Sequence, residues 1–276
     1  GIITIGFGLL TLLFLTASPD TASWLSERER QIVVLTNEAD RALKAHEGFS
    51  RAQITSAFTD PRTYLWGLAY FANYIPVYSV VLSLPTVVAG LGHTGTGATV
   101  MAVWPYFVGF ALVLGAGWTT DRWGARFVHY AVPIGVVMVA LVVLIAETDD
   151  TVRYGMFFLV MFMFVPISTM WSWLAQNVAG SNKRAAATGL VFSMGNLGGI
   201  ASGWIYSAEW APRFVPGHAI NLACYAVALV AGACLWWSYR RDNRLRDRAE
   251  GIERGVSVYQ RRKGLLGEDL GDLGDK

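Results

Sequence analysis

The chain has 276 residues, 54% hydrophobic and only 15% charged, with a net charge of +2 and a mean hydropathy of +0.40. A soluble domain carries about 25% charged residues, and here the charges are also segregated: Thr63–Thr120, Phe127–Ala146, Tyr154–Asn182, Ala185–Ala208 and Phe214–Tyr239 contain no Asp, Glu, Lys or Arg. This excludes an ordinary soluble enzyme, a disordered chain and a disulfide-rich secreted domain, and it predicts an all-α polytopic membrane protein, since a spanning helix needs roughly 20 apolar residues.

The first element is the apolar run 1–16. It opens on Gly1 with neither Met nor a basic stretch before it, so it reads as part of a transmembrane helix rather than a signal peptide. The chain then reads as a piece of a longer protein. Residues 17–63 form a polar segment with Glu27-Arg28-Glu29-Arg30, then Asp40, Arg41, Lys44 and Glu47. Within it Ile32, Leu35, Ala39 and Leu43 recur at helical spacing and predict an amphipathic helix. Six more spans are predicted over residues 64–85, 98–118, 127–146, 154–174, 185–207 and 218–239. The tail, 240–276, is charged and Gly-rich and is expected to be mobile.

Span 2 carries Tyr70, Tyr74 and Tyr78 four apart, with Asn73 beside them and Pro76 and Pro85 to bend the helix. A Tyr stripe in a membrane helix can be packing, an interfacial belt or a ligand contact; Asn73 adds polarity near mid-span. Between spans 3 and 4 lies Gly117-Trp118-Thr119-Thr120-Asp121-Arg122-Trp123-Gly124-Ala125-Arg126. Gly117 would let a helix approach closely, Asp121 could sit at a neighbouring helix N-terminus, and Gly124 permits a sharp turn. A generic basic loop is the plainer reading. A seven-helix receptor is excluded by the long segment after span 1, the lack of Cys at the start of span 3 and the lack of Asn-Pro-x-x-Tyr in span 7. Span 5 presents Ser168, Trp171 and Ser172 on one face, below Pro166. Span 6 begins after Lys183-Arg184 and carries Ser193, Asn196 and the four-spaced Gly195, Gly199 and Gly203. Those glycines predict a smooth face for tight packing, and a mid-span amide at Asn196 must find a partner or a water-filled path.

Basic residues set the orientation. One face gathers Arg122, Arg126, Lys183, Arg184, Arg240, Arg241, Arg244, Arg246 and Arg248; the other has only Arg153 and Arg213. The first face is therefore expected in the cytoplasm, together with the 17–63 segment and the tail. Cys224 and Cys234 lie ten residues apart in span 7, about 15 Å along a helix, too far to pair; both are expected to be buried apolar cysteines. His46, His93, His129 and His218 are scattered and give no metal site, the Gly92–Gly97 stretch has no following Lys to make a phosphate cradle, and no nucleophile constellation occurs. The chain reads as no enzyme, with no cofactor and no nucleic-acid partner.

Gly117, Asp121-Arg122-x-Gly124-x-Arg126 resembles the cytoplasmic loop motif of the major facilitator superfamily, in its second-half copy between helices 8 and 9. Ala125 departs from it where a basic residue is common. Asn177-x-x-Gly180-x-x-Lys183-Arg184, Gly195-Asn196-Leu197-Gly198-Gly199-Ile200, Ala211-Pro212 and Gly217-His218, with Pro19-Asp20-Thr21-Ala22 ahead of Leu25, Glu29 and Arg30, resemble the fungal allantoate/nicotinate permease branch of the anion:cation symporter family. The resemblance covers residues 1 to about 240 and implies a register. Residues 1–16 would be helix 6, 17–63 the cytoplasmic central linker, 64–239 the C-terminal six-helix bundle and 240–276 a cytoplasmic tail. Helices 1–5 would be missing.

It also implies a plasma-membrane transporter that carries a small organic anion with a proton by alternating access. Such transporters bind substrate near the midplane between their halves. By polarity and depth, Asn73, Tyr74, Tyr78, Ser168, Trp171 and Asn196 are the substrate-contact candidates. Gly117, Asp121, Arg122, Gly124, Arg126, Lys183 and Arg184 are the cytoplasmic gating candidates. No span contains a charged residue, so the groups that meet an anion and a proton are expected in the missing helices. The alternative is a non-transporting sensor or truncated scaffold of the same fold.

Overall fold

A computed structural model describes residues 1–14, 22, 24–31, 33, 48–90, 92 and 95–249. Among these the regular structure is entirely helical: α1 (Ile2–Phe14), α2 (Arg51–Thr59), α3 (Pro61–Ala89), α4 (Thr96–Trp123), α5 (Arg126–Ala146), α6 (Asp150–Val160), α7 (Phe164–Asn177), α8 (Ser181–Ser202) and α9 (Val215–Ala249), with 3₁₀ turns at Met161–Met163 and Ala208–Trp210. The amphipathic helix expected around Ile32, Leu35, Ala39 and Leu43 lies outside the described residues, as does the tail beyond 249.

Five stretches are long and apolar enough to cross a membrane: Pro61–Ala89, Thr96–Trp123, Arg126–Ala146, Asp150–Asn177 and Val215–Arg248. Two predicted spans are helical without joining them. α1 has only 13 residues. α8 has Lys183 and Arg184 in its first turn and Gly, Ser and Asn along its length, a composition that suits a helix shielded by others or bordering a polar path.

Local chemistry sets the boundaries. Asp60 caps α3, its carboxylate accepting the Arg62 amide at 3.0 Å, and Pro61 follows at the first helical position, where its missing N–H costs nothing. The helix thus starts at residue 61, inside the expected linker, and runs through Pro76 and Pro85. Span 5 is not one continuous α-helix. It tightens to 3₁₀ at Met161–Met163 just ahead of Pro166, whose ring removes a backbone donor at that point. α8 ends at Ser202, earlier than the expected residue 207. The tail expected to be mobile from residue 240 stays helical to Ala249; its Arg, Leu and Ala are good helix formers, and Arg246 and Arg248 in the last turn suit the helix dipole.

α3 lies at the centre, packed most extensively on α8 and then on α9; α5 joins α9 to α6 and α7, and α4 leans on α3 and α7. The ends alternate. Phe127 at the start of α5 stacks on Trp236 near the end of α9 at 5.0 Å, while Arg153 near the start of α6 reaches the carbonyls of Pro212 and Arg213 before α9. One end of the bundle is therefore the basic end and the other holds Arg153 and Arg213, the segregation expected from the sequence. Trp66, Tyr70, Tyr130, Tyr225, Phe157 and Phe214 are its largest fully buried side chains. The exterior is apolar, with Phe107, Phe110 and Leu114 on α4 and Val132, Val139 and Val142 on α5 all exposed, as lipid rather than water as solvent requires. Cys224 is half-buried and Cys234 exposed, so the burial expected of Cys234 is corrected: it points to that exterior.

Candidate functional site

The exposed side of α3 is narrow, and Tyr74 and Tyr78 stand on it, half-buried. Tyr70, one turn before, donates to the Tyr74 hydroxyl, and the rings climb the helix at centroid spacings of 4.2 Å and 5.1 Å. Trp171 of α7 meets Tyr70 edge-on at 4.7 Å and Phe192 of α8 at 5.8 Å. Tyr78 donates to the Asn196 side-chain oxygen at 3.1 Å, and the Asn196 amide donates to the Phe192 carbonyl at 2.8 Å. The sequence stripe of tyrosines thus becomes an aromatic wall shared by α3, α7 and α8.

The wall exists because α8 has no side chain where the rings lie. A Cβ on Gly195 would come within 2.5 Å of Tyr70 Cε1, and one on Gly199 would touch the Tyr78 ring at 3.4 Å. Gly198, not Gly203, completes the packed face: a Gly198 Cβ would meet the Phe71 carbonyl at 3.0 Å, whereas the nearest atom to one on Gly203 is the Ile200 carbonyl at 3.8 Å. Ser168 is exposed beside the wall and Ser172 half-buried; their hydroxyls donate to the carbonyls of Val165 and Thr169 and keep their lone pairs for another partner. Asn73 is placed elsewhere. It is fully buried, beside Tyr130 of α5. Helical geometry explains this, since one residue along α3 is a 100° turn away from Tyr74.

The basic end holds two clusters. In the first, Gly124 has φ +66° and closes α4 by donating to the Thr120 carbonyl at 2.9 Å, the turn its sequence context predicts. Asp121 and Arg122 are exposed and Arg126 half-buried; Asp121 lies close enough to Arg126 to feel its charge, and Arg122 lies over the Trp118 ring. The close helix approach expected at Gly117 is not made within this chain: nothing lies within 4 Å of its Cβ position. In the second cluster, Lys183 pairs with Asp60 at 2.7 Å, Arg184 donates to the Val178 carbonyl at 3.1 Å, and Arg62 pairs with Asp242 while lying over the Tyr239 ring, whose hydroxyl accepts from Trp66 at 3.0 Å. Among the described residues no hydrogen bond or ion pair joins the two clusters. Sequence reasoning did not find Asp60, Arg62, Tyr239 and Asp242; the signal available was the Asp-Pro helix start and an acid among the arginines after span 7.

Burial pushes the Asp60 carboxyl up, but the bond from Lys183, the Arg62 amide and the charges of Lys183 and Arg62 outweigh it and hold the group below its ordinary value. A depressed carboxylate stabilises the fold above its unfolded value, about 3.9, and loses that contribution as the pH falls through the folded value. Asp60→Asn is expected to cost about 0.5–1 kcal/mol at pH 7, the range of a partly exposed pair. In thermal unfolding the gap between variant and wild type should close as the pH drops below about 4.

The opposite end holds a buried polar relay that the sequence did not reveal. Asn221 of α9 donates to Ser79 of α3 at 2.9 Å and to the Tyr206 hydroxyl at 3.1 Å, and Tyr206 meets His218 Nδ1 at 3.0 Å. All are buried. The relay ties α3, α9 and the turn after α8 together. No group of three or more His, Cys, Asp or Glu among the described residues could hold a metal.

The chain thus combines a membrane-spanning bundle, a positive-φ turn at Gly124 and an uncharged aromatic wall. The sequence model of the Major Facilitator Superfamily matches residues 1–203. The chain belongs to the major facilitator superfamily. Membership and the apolar helices make it an integral membrane protein. It is 27% identical over 239 residues to the uncharacterized transporter C11D3.18C of Schizosaccharomyces pombe, covering 86% of this chain and 48% of that protein. It is 30% identical over 258 residues to the MFS transporter prlL of a fungal species, covering 91% and 52%. The major facilitator-type transporter hxnP of Emericella nidulans is 24% identical over 256 residues, covering 91% and 52%. The chain therefore spans about half the length of these superfamily relatives.

Proposed function

We propose that this chain forms the C-terminal half of a secondary transporter that moves a small carboxylated solute together with a proton, in the manner of the allantoate/nicotinate permease branch. In this reading residues 1–16 are helix 6, 17–63 the cytoplasmic linker, α3 to α9 the second six-helix bundle and the residues after α9 a cytoplasmic tail, in the plasma membrane. The turn from Gly117 to Arg126, with Lys183 and Arg184, lies on the cytoplasmic side, and the open face around Gly117 is where the other half docks when the cytoplasmic side closes. The two halves rock about a site at the midplane.

The observation that carries this reading is the wall of Tyr74, Tyr78, Trp171 and Asn196, half-buried on three helices, polar at its hydroxyls and amide. Uncharged donors orient a carboxylate but do not neutralise it in a low-dielectric path, so the countercharge and the proton site belong to the other half. Asn73 drops out of the proposed contact set because of its burial in the bundle.

The test is uptake of radiolabelled carboxylates at pH 5 and pH 7.5 by permease-deficient cells expressing the full-length protein. One anion should enter, faster at acid pH, and residues 1–276 alone should give no uptake. Absence of uptake for every anion by a correctly inserted protein would remove the assignment. Asn196→Ala should raise KM about tenfold, about the worth of one hydrogen bond, with surface expression kept.

A further inference from the structure

α9 runs for 35 residues, well beyond the roughly 20 that a membrane span needs. Its last three turns carry Arg240, Arg241, Arg244, Arg246 and Arg248, all exposed, directly after Trp236 and Trp237. Arg240 lies over the Trp236 ring at 4.9 Å and Arg241 over Trp237 at 5.9 Å. Together with Arg244 and Arg248 they line a shallow groove of about 340 Å³. The geometry points to a binding site for the phosphate-bearing headgroup of an anionic membrane phospholipid, clasped by the Arg240, Arg241, Arg244 and Arg248 guanidiniums at the level of the two tryptophans.

Three features support a lipid headgroup. Trp236 and Trp237 are aromatic residues at the end of a spanning helix, where indoles settle at headgroup depth. Trp236 is fixed by its stack on Phe127, so the Arg240 head is held beside a rigid ring rather than swinging free. The lining of the groove holds four arginines and no acid, and the nearby Asp242 is paired with Arg62 of α3. Arg126, at the start of the neighbouring α5, adds a further cation at the same end. Guanidinium forks bind phosphate oxygens in pairs, and clustered Arg next to a membrane helix attracts polyanionic headgroups. Arg246 lies about 120° away from Arg240 around the helix and is outside the groove.

This inference rests on the membrane-spanning reading, so the test separates the two. The purified full-length protein is first shown to pellet with membranes. In detergent it is then titrated with short-chain phosphatidylinositol bisphosphate, phosphatidylcholine, free inositol phosphate and inorganic phosphate, with binding read by tryptophan fluorescence. Binding of the bisphosphate lipid at least tenfold tighter than of phosphatidylcholine and of the free phosphates is expected. Arg240→Gln, Arg241→Gln and Arg244→Gln combined should weaken it at least tenfold, and Arg246→Gln should leave it unchanged. A protein that inserts but shows no lipid preference, an Arg246→Gln loss equal to that of the triple variant, or equal binding of free inositol phosphate would each overturn the site. A protein that fails to pellet with membranes would overturn the spanning reading as well.

Discussion

Arg153→Met is expected to lower the thermal stability of the full-length protein by about 2–4 kcal/mol, the cost of stranding buried acceptors. The Arg153 side chain is 3% exposed. Its guanidinium donates to Pro212 and Arg213 carbonyls at 3.3 Å and 3.2 Å and to Asp150 at 3.0 Å. Removal leaves two backbone acceptors with no donor and unpins the turn that leads into α9. Arg213 works from the other side, donating to the Ile145 carbonyl at 2.8 Å, so the two arginines staple the ends of α5, α6 and α9 to one another. Arg153→Lys keeps the charge but lacks the forked donors, and should recover only part of the loss. Asp150→Ala should cost under 1 kcal/mol, because that carboxylate is more than half exposed. The check is a thermal melt in detergent; a midpoint unchanged in Arg153→Met would show that the buried arginine holds nothing.

Gly195→Ala should be almost as damaging and more specific. Its Cβ would enter the space of the Tyr70 ring, 2.5 Å from Cε1. Tyr70 is 1% exposed and held between Tyr74 and Trp171, so it has nowhere to swing. Overpacking of a filled core costs about 1–3 kcal/mol or more, and here the strain falls on the most extensive helix pair in the bundle, α3 on α8. Loss of uptake is expected before loss of membrane insertion, because the displaced ring belongs to the aromatic wall. Gly203→Ala serves as the control. Its Cβ would find only the Ile200 carbonyl, at 3.8 Å, and near-normal uptake is expected. Equal damage from the two substitutions would refute the account of the glycine face.

The contrast between Gly195 and Gly203 shows what was legible beforehand. A four-residue spacing of small residues announces a packing face, but which glycines are covered depends on where α3 crosses α8, and that lies in no local pattern. Charge segregation located the helices and their alternation because lipid admits few other solutions. The 3₁₀ interruption of span 5 was half visible in Pro166, while the extension of α9 was obscured by charge, which marks an exit from the membrane as readily as the end of a helix. Tyr70, Tyr74 and Tyr78 were found by period alone; Asn73 shares their neighbourhood in sequence but not their face. The relay of Ser79, Tyr206, His218 and Asn221 was hidden for another reason. Its members come from three elements, and each looks like an ordinary interruption of an apolar run until the helices are assembled.

In the transporter reading, the wall on α3, α7 and α8 borders a water-accessible path rather than lipid. Asn196→Cys in a cysteine-free full-length protein tests it directly, with Val139→Cys, on the exposed apolar side of α5, as the reference. Membrane-impermeant maleimide should label Asn196→Cys and block its uptake, a transported anion should slow the labelling, and Val139→Cys should stay unlabelled. An unreactive Asn196→Cys, or labelling no faster than at Val139→Cys, would place the wall against lipid and contradict the account.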